Sequence, residues 1–136
     1  MKLNTYLGFD GTCAEAFRFY ERVLRGHIDM MMTYGESPEA DRVGPDQRDR
    51  IMHAHMTVAG QSLMGGDAPA GMHSKPAGFC VSINVDEEAE AERVFRELSE
   101  GGQVQMPIGE TFWAKRFGMC VDRYGTPWMV NCSKPM

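Results

Sequence analysis

The stretch whose reading decides the fold is Phe112-Trp113-Ala114-Lys115-Arg116-Phe117-Gly118-Met119-Cys120-Val121-Asp122-Arg123-Tyr124-Gly125-Thr126-Pro127-Trp128-Met129-Val130-Asn131. It reads as two strands joined by a tight turn. Met119, Val121, Trp128 and Val130 carry the apolar strand signal, and Asp122-Arg123-Tyr124-Gly125 supplies turn chemistry. Gly125 is free to take a positive φ, and the Asp122 carboxylate can accept hydrogen bonds from the backbone amides ahead of it. Both tryptophans of the chain lie here. Arg116 is placed to lie over the ring of Trp113 or Phe112, an aromatic wall with one cation that suits a small organic ligand. The alternative is an ordinary closing hairpin whose large residues fill a core.

Upstream of this hairpin the chain alternates between strand and helix signals. Residues 3–9 read as a strand, and Asp10-Gly11-Thr12 ends it with a helix start. Residues 14–24 follow as a helix with Phe17, Tyr20 and Leu24 on one stripe, closed by Gly26. Residues 27–34 read as a strand, 35–49 as a loop rich in Pro, Gly and charge, 50–58 as a strand, Gly60-Gln61 as a turn, and 62–65 as a short return strand. Residues 67–77 have linker composition. The pattern then restarts: a strand over 79–85, a helix over 87–98 with acidic residues in its first turn, Gly101-Gly102 as its end, and a strand over 103–108. With a shift of 76 residues the halves match at Asp10/Asp86, Phe19/Phe95, Glu21/Glu97 and Gly26/Gly102. Each half reads as one strand, one helix and three strands, the pattern of an internal duplication. The expected organisation is a single domain over residues 1–136, with module 1 at about 1–66, a linker at about 67–77 and module 2 at about 78–136.

Bulk composition narrows the function. The chain is 43% hydrophobic and 24% charged with a net charge of −5, and its Lys and Arg residues are scattered, so a nucleic-acid groove is not expected. No apolar run approaches membrane-spanning length, and the opening Met1-Lys2-Leu3-Asn4-Thr5-Tyr6 runs into strand-like sequence without a targeting pattern. Cys13, Cys80, Cys120 and Cys132 form no CxxC pair. Reduced thiols in a soluble, cytoplasmic protein are the expectation.

The element order, with Gly8-Phe9-Asp10-Gly11, Glu15-Ala16-Phe17-Arg18-Phe19-Tyr20 and the closing Phe112-Trp113, Arg116-Phe117-Gly118, Asp122-Arg123-Tyr124-Gly125 and Trp128, resembles the PhnB-like branch of the vicinal-oxygen-chelate superfamily. Its relatives are glyoxalase I, the bleomycin-resistance proteins and the extradiol dioxygenases. The resemblance covers nearly the whole chain. It implies an α+β fold of two βαβββ modules forming curved mixed sheets around a cavity, and a homodimer. Similar proteins often bear a label naming a demethylubiquinone methyltransferase. Methyl transfer of the common nucleotide-fold type needs a glycine-rich turn after the first strand, and Gly8-Phe9-Asp10-Gly11 reads instead as a strand end and helix entry.

In the metal-using relatives, four ligands of the His and Glu type sit on the inner faces of the first and last strands of each module. Carried over, those positions fall near Thr5, Met64, Cys80 and Met129. None is a hard oxygen or imidazole ligand, and such a set suits only a soft ion. No cofactor is therefore expected; the alternative is a divalent metal at His53 and His55, two residues apart on a strand and so on one face, with Glu36, Asp67 or Glu110 completing the site. Cys80 could be a nucleophile if a base lay near, although a buried thiol is usually inert. No Ser-His-Asp order, P-loop or pair of carboxylates is recognisable along the chain.

The expected function is that of a protein binding an apolar or aromatic small molecule in the cavity without the superfamily's metal. Strand alternation then places Thr5 inward with Leu3 and Leu7, Cys80 with Ser82 and Asn84, and Met129 with Asn131, while Met64 joins them from its own strand. Trp113, Arg116 and Phe117 form the mouth, and His53 or His55 is a polar fixture. Two other classes compete: a metal-dependent isomerase, lyase or dioxygenase using His53 and His55, and an interaction protein with a filled interior.

Overall fold

The computed structural model describes residues 1–135 and divides the chain into two compact units, Met1–Ser74 and the chain from Lys75 onward. Unit 1 contains β1 (Thr5–Phe9), α1 (Cys13–Leu24), β2 (His27–Thr33), two 3-10 turns (Ala40–Arg42 and Pro45–Gln47), β3 (Ile51–Val58) and β4 (Gln61–Asp67). Unit 2 contains β5 (Val81–Asn84), α2 (Glu88–Ser99), β6 (Gln103–Gly109), β7 (Ala114–Val121) and β8 (Pro127–Ser133). The sheets have the orders β1-β4-β3-β2 and β5-β8-β7-β6, which are the same order repeated. In each, the first and last strands of the unit pair parallel and the other pairs are antiparallel. This is the expected α+β class with a βαβββ order in each half.

One face of each sheet is covered by its own helix. In α1 the buried residues Cys13, Ala16, Phe17, Tyr20 and Val23 recur at helical spacing, and Phe9 of β1 meets Phe17 edge-on at 6.3 Å and Tyr20 at 6.5 Å. In unit 2, Ala91, Val94, Phe95 and Leu98 of α2 are buried, as are Cys120, Trp128, Val130 and Cys132 of β7 and β8. Each of the large side chains contributes roughly 1.5–3 kcal/mol by leaving water. The alternate residues of the same strands form an open face in each unit.

The glycine after α1 has a different task from the one its sequence suggests, whereas Gly101 after α2 takes the expected left-handed conformation (φ 77°). Arg25, not Gly26, takes the left-handed conformation that ends α1 (φ 53°). At Gly26 a Cβ would stand 2.9 Å from the Thr57 carbonyl oxygen and 2.8 Å from Val58 Cγ2. At Gly102 a Cβ would fall on the Val121 carbonyl oxygen. The residues that follow, His27 and Gln103, pair with Thr57 and Val121. Both glycines thus let the chain leave its helix against the backbone of the neighbouring strand.

Two buried aspartates fasten the units. β4 runs on to Asp67, where a linker was expected to begin, and the Asp67 carboxylate accepts hydrogen bonds from the amides of Gly11 (2.8 Å), Cys13 (3.1 Å) and Ile51 (2.8 Å). It ties the start of α1 and the start of β3 to the end of β4. Asp122 does the turn work read from the sequence: its Oδ1 accepts from the amides of Tyr124 (2.8 Å) and Thr126 (3.1 Å), and its Oδ2 accepts from Trp128 Nε1 (2.7 Å). Gly125 has φ 91°. Residues 35–49 are more ordered than a plain loop, because Tyr34 and Gly35 donate back to the carbonyls of Arg50 and Arg48 and extend the β2–β3 ladder. Among the described residues, no helix is long and apolar enough to cross a membrane.

Candidate functional site

The open face of unit 2 holds a groove of about 600 Å³. β7 sends Gly118 and Cys120 toward α2, since a Cβ at Gly118 would collide with the Phe95 ring, and therefore sends Phe117, Met119 and Val121 to the other side. Met119 and Val121 line the groove with Gln103 and Gln105 of β6. The segment before β5 supplies Phe79 and Cys80. The wall is thus largely apolar and sulfur-bearing, with two carboxamides able to donate and accept and the Lys75 ammonium at its border, a composition that orients a largely apolar small molecule. Cys80 is half-buried, whereas Cys13, Cys120 and Cys132 are fully buried; all four are free thiols.

Met129 is the register partner of Met119 and of Ser82, so both share the groove's face, with Ser82 exposed. Asn131 and Asn84 lie on it too and bond each other at 3.1 Å. Trp113 is 42% exposed and packs edge-on to Phe117 (5.1 Å) and to Phe112 (4.8 Å), with Phe117 buried beneath. Arg116 departs from the expected arrangement. It follows the alternation of Gly118 and Cys120 onto the α2 side, where it pairs with Glu88 (3.1 Å) and Glu92 (2.8 Å) instead of covering Trp113 or Phe112. Two carboxylates one helical turn apart outcompete an aromatic ring for a guanidinium.

The open face of unit 1 sets imidazole and hydroxyl groups beside thioethers. His53, His55 and Thr57 of β3 alternate with the buried Ala54 and Met56, and Ser62 and Met64 of β4 alternate with the buried Leu63 and Gly65. His55 Nδ1 lies 2.9 Å from Asp29 Oδ2, and its Nε2 lies 3.0 Å from Ser62 Oγ. Thr57 Oγ1 donates to the same Asp29 oxygen at 2.6 Å, a bond that is the main cause of the Asp29 carboxyl lying below its ordinary range. Met64 stands in register with both Tyr6 and His55. Tyr6 stacks on His53 (5.9 Å, 23° between planes) and donates its hydroxyl to the Met52 carbonyl at 3.3 Å; burial raises its pKa.

Thr5 and Leu7 are not on this face. They alternate with Tyr6 on the side where Phe9 meets α1, and Leu7 is buried there. The β1 residue on the open face is Tyr6, which the sequence reading passed over, as it did Asp29 and Ser62. The signal for Tyr6 was present, since Leu7 and Phe9 form the more apolar set and belong against the helix.

The metal expected of the superfamily does not fit the side chains present. The carried-over positions bear Thr5 on the helix side and the soft donors Met64, Cys80 and Met129 on the open faces. Among the described residues, no three His, Cys, Asp or Glu side chains are grouped closely enough to hold a metal ion. His53 and His55 share a face, but the first is stacked on Tyr6 and the second has both ring nitrogens engaged.

A family model described as 3-demethylubiquinone-9 3-methyltransferase matches residues 1–131. Among solved structures, protein PA1353 from Pseudomonas aeruginosa is 46% identical, with a TM-score of 0.90 over 99% of each chain. A Bacillus cereus PhnB protein, provisionally described as a 3-demethylubiquinone-9 3-methyltransferase, is 29% identical, with a TM-score of 0.80 over 98% of this chain and 100% of that one. A glyoxylase/bleomycin resistance protein/dioxygenase domain from Frankia sp. EAN1pec shares the fold at 12% identity, with a TM-score of 0.64 over 97% of this chain and 94% of that one. With the repeated βαβββ order and the matched length, the chain belongs to the family that this model describes, and it shares its fold with the glyoxylase/bleomycin resistance protein/dioxygenase domain.

Proposed function

We propose that the protein binds an apolar or aromatic small molecule in the groove of unit 2, without the superfamily's metal. The observation that carries this is the groove itself, about 600 Å³ of mainly apolar wall bearing the sulfurs of Cys80 and Met119, with Gln103, Gln105 and Lys75 as its polar groups. Ser82, Met129, Trp113 and Phe117 lie on the same face of the sheet or beside it and extend the surface. Titration with a naphthalene-sulfonate dye tests the reading. Saturable binding is expected, weakened roughly tenfold or more by Met119→Trp, which fills the groove from its β7 wall. Equal binding by wild type and variant would remove the groove from the proposal.

The family's description names a methyl transfer, but two features speak against carrying it over. The amides of Gly11 and Cys13, where a nucleotide-binding turn would hold its cofactor, are both taken by Asp67. Neither sheet has the all-parallel order of that fold. A metal-dependent isomerase, lyase or dioxygenase based on His53 and His55 is less well supported, because among the described residues they belong to no group of three His, Cys, Asp or Glu side chains able to hold an ion. Elemental analysis of untagged protein separates the two readings, since about one transition-metal ion per chain would favour the enzyme.

A homodimer in the cytoplasm belongs to the same proposal. The exposed Val104 and Met106 on the edge strand β6 offer an apolar border that a second copy could cover, and four free thiols suit a reducing compartment. Light scattering gives the oligomeric state directly.

A further inference from the structure

The polar network on the open face of unit 1 has a geometry that neither the binding reading nor the family's description uses. Asp29, His55 and Ser62 come from three different strands, β2, β3 and β4. A bulge between Ile28 and Met30 accompanies the approach of Asp29 to His55. The Asp29–His55 separation is 2.9 Å on the Nδ1 side and the His55–Ser62 separation is 3.0 Å on the Nε2 side. A carboxylate at Nδ1 holds the proton there, which leaves the Nε2 lone pair to accept the Ser62 hydroxyl proton. Thr57 fixes the carboxylate oxygen that faces the ring. These are the roles of nucleophile, base and orienting acid, which are recognised by geometry and not by order along the chain.

We infer that Asp29, His55 and Ser62 form an acyl-accepting relay in which the Ser62 hydroxyl attacks an activated ester or thioester. The Ser62 Oγ–C bond forms as the proton passes to His55 Nε2. The bond from the acyl carbon to the leaving oxygen or sulfur then breaks, and the leaving group takes that proton. Water, deprotonated by His55, attacks the acyl carbon; the Oγ–C bond breaks, a carboxylic acid departs, and Ser62 Oγ regains the proton. Met64 and Met30 stand in register with His55 on either side and give an apolar acyl chain a surface to lie on. Ser62 sits within the β3–β4 ladder, where backbone amides are committed to strand pairing, so the relay favours donors with good leaving groups over amides.

The test is covalent labelling of the full chain with a fluorophosphonate, and with p-nitrophenyl butyrate, followed by peptide mass spectrometry. A single adduct on Ser62 is expected, lost in Ser62→Ala. His55→Ala should slow labelling by roughly 100-fold and Asp29→Asn by about tenfold. Should His55→Ala fail to fold, His55→Gln and Asp29→Asn carry the same test, with far-UV circular dichroism as the folding check. No adduct, an adduct confined to Cys80, or equal labelling rates in the folded His55 and Asp29 variants would overturn the relay.

Discussion

The two units share strand order, pairing sense and a helix on one face, yet their open faces carry different functional groups. In unit 1 that face is a hydrogen-bonded set of Asp29, His55, Thr57 and Ser62 beside a Tyr6–His53 stack. In unit 2 it is a groove of thioether, thiol, aliphatic and amide groups. The helix-side faces, by contrast, are alike: both bury aromatic and aliphatic residues, among them Phe9, Phe17 and Tyr20 in unit 1 and Phe95, Trp128 and Val130 in unit 2. A strand's alternation lets one sequence answer two demands, with the helix-side residues specifying the fold and the others free to carry chemistry.

The units are also fastened differently, and this gives the largest expected effect. Asp67 gathers three amides from two segments distant in sequence, whereas Asp122 serves a single hairpin. Asp67→Ala leaves the amides of Gly11, Cys13 and Ile51 without that acceptor and should destabilise unit 1 by roughly 3–5 kcal/mol. Both tryptophans, Trp113 and Trp128, are in unit 2, so their fluorescence reports that unit while circular dichroism reports both. In urea the dichroism transition of the variant should move to lower denaturant ahead of the fluorescence transition. If the two shift together, the units unfold as one and the contrast in their fastening has no thermodynamic independence.

A second test applies the same change to both units. Gly26→Ala meets the Thr57 carbonyl and the movable end of Val58, while Gly102→Ala meets backbone atoms of Val121 and Asp122. Overpacking costs of roughly 1–3 kcal/mol are expected, with Gly102→Ala at or above the top of that range and Gly26→Ala near the bottom. Equal midpoints in urea would mean that the strand beside Gly102 yields as easily as the Thr57 carbonyl and Val58 side chain beside Gly26.

The thiols separate the faces by access and by pH. A disulfide reagent should label Cys80 first, since Cys13, Cys120 and Cys132 have no exposure. Burial pushes the Cys13 thiol from its ordinary 9.0 up to about 12 and Cys120 up to about 11. The unfolded chain therefore gives up these protons first as pH rises. Their stabilisation is intact below about pH 9 and declines above it by up to roughly 1.4 kcal/mol per pH unit for each thiol, until the folded value is reached. Urea midpoints measured from pH 8 to 10 check the sign, and Cys13→Ser should flatten the fall in unit 1.

How much of this was open to reading follows from local rules. The hairpin from Phe112 to Asn131 was legible because Asp122 and Gly125 act within a few residues of themselves. The βαβββ order was legible because Phe17, Tyr20, Val94 and Leu98 keep helical spacing. The facing of β1 was harder: Thr5, Leu7 and Phe9 can be read as lining a cavity or as covering a helix, and the demand of Phe17 and Tyr20 decides it. Asp29 and Arg116 were out of reach for another reason. Asp29 sits at a strand bulge, which breaks the alternation that facing arguments use, and both residues take their partners from another element: His55 for Asp29, Glu88 and Glu92 for Arg116. The His55–Ser62 contact depends on the β3–β4 register, which the turn at Ala59 and Gly60 sets, both with positive φ.

The smallest expected effect separates the helices. α2 carries Arg93 between Glu90 (2.7 Å) and Glu97 (2.8 Å), spaced one turn before and after it, while α1 places Arg22 over the Phe19 ring at 5.5 Å. Arg93 is 19% exposed and its partners about one-third, so water and salt screen the pairs in part. Arg93→Ala should lower the stability of unit 2 by roughly 0.5–1 kcal/mol in low salt, and by less at about 1 M salt, where the screening length shrinks to about 3 Å. Arg22→Ala, which loses a ring contact instead of ion pairs, should show a smaller change with salt in the dichroism transition. A loss at Arg93 that is the same at both salt concentrations would mean that its aliphatic stem packed on α2, and not its charge, supplies the stability.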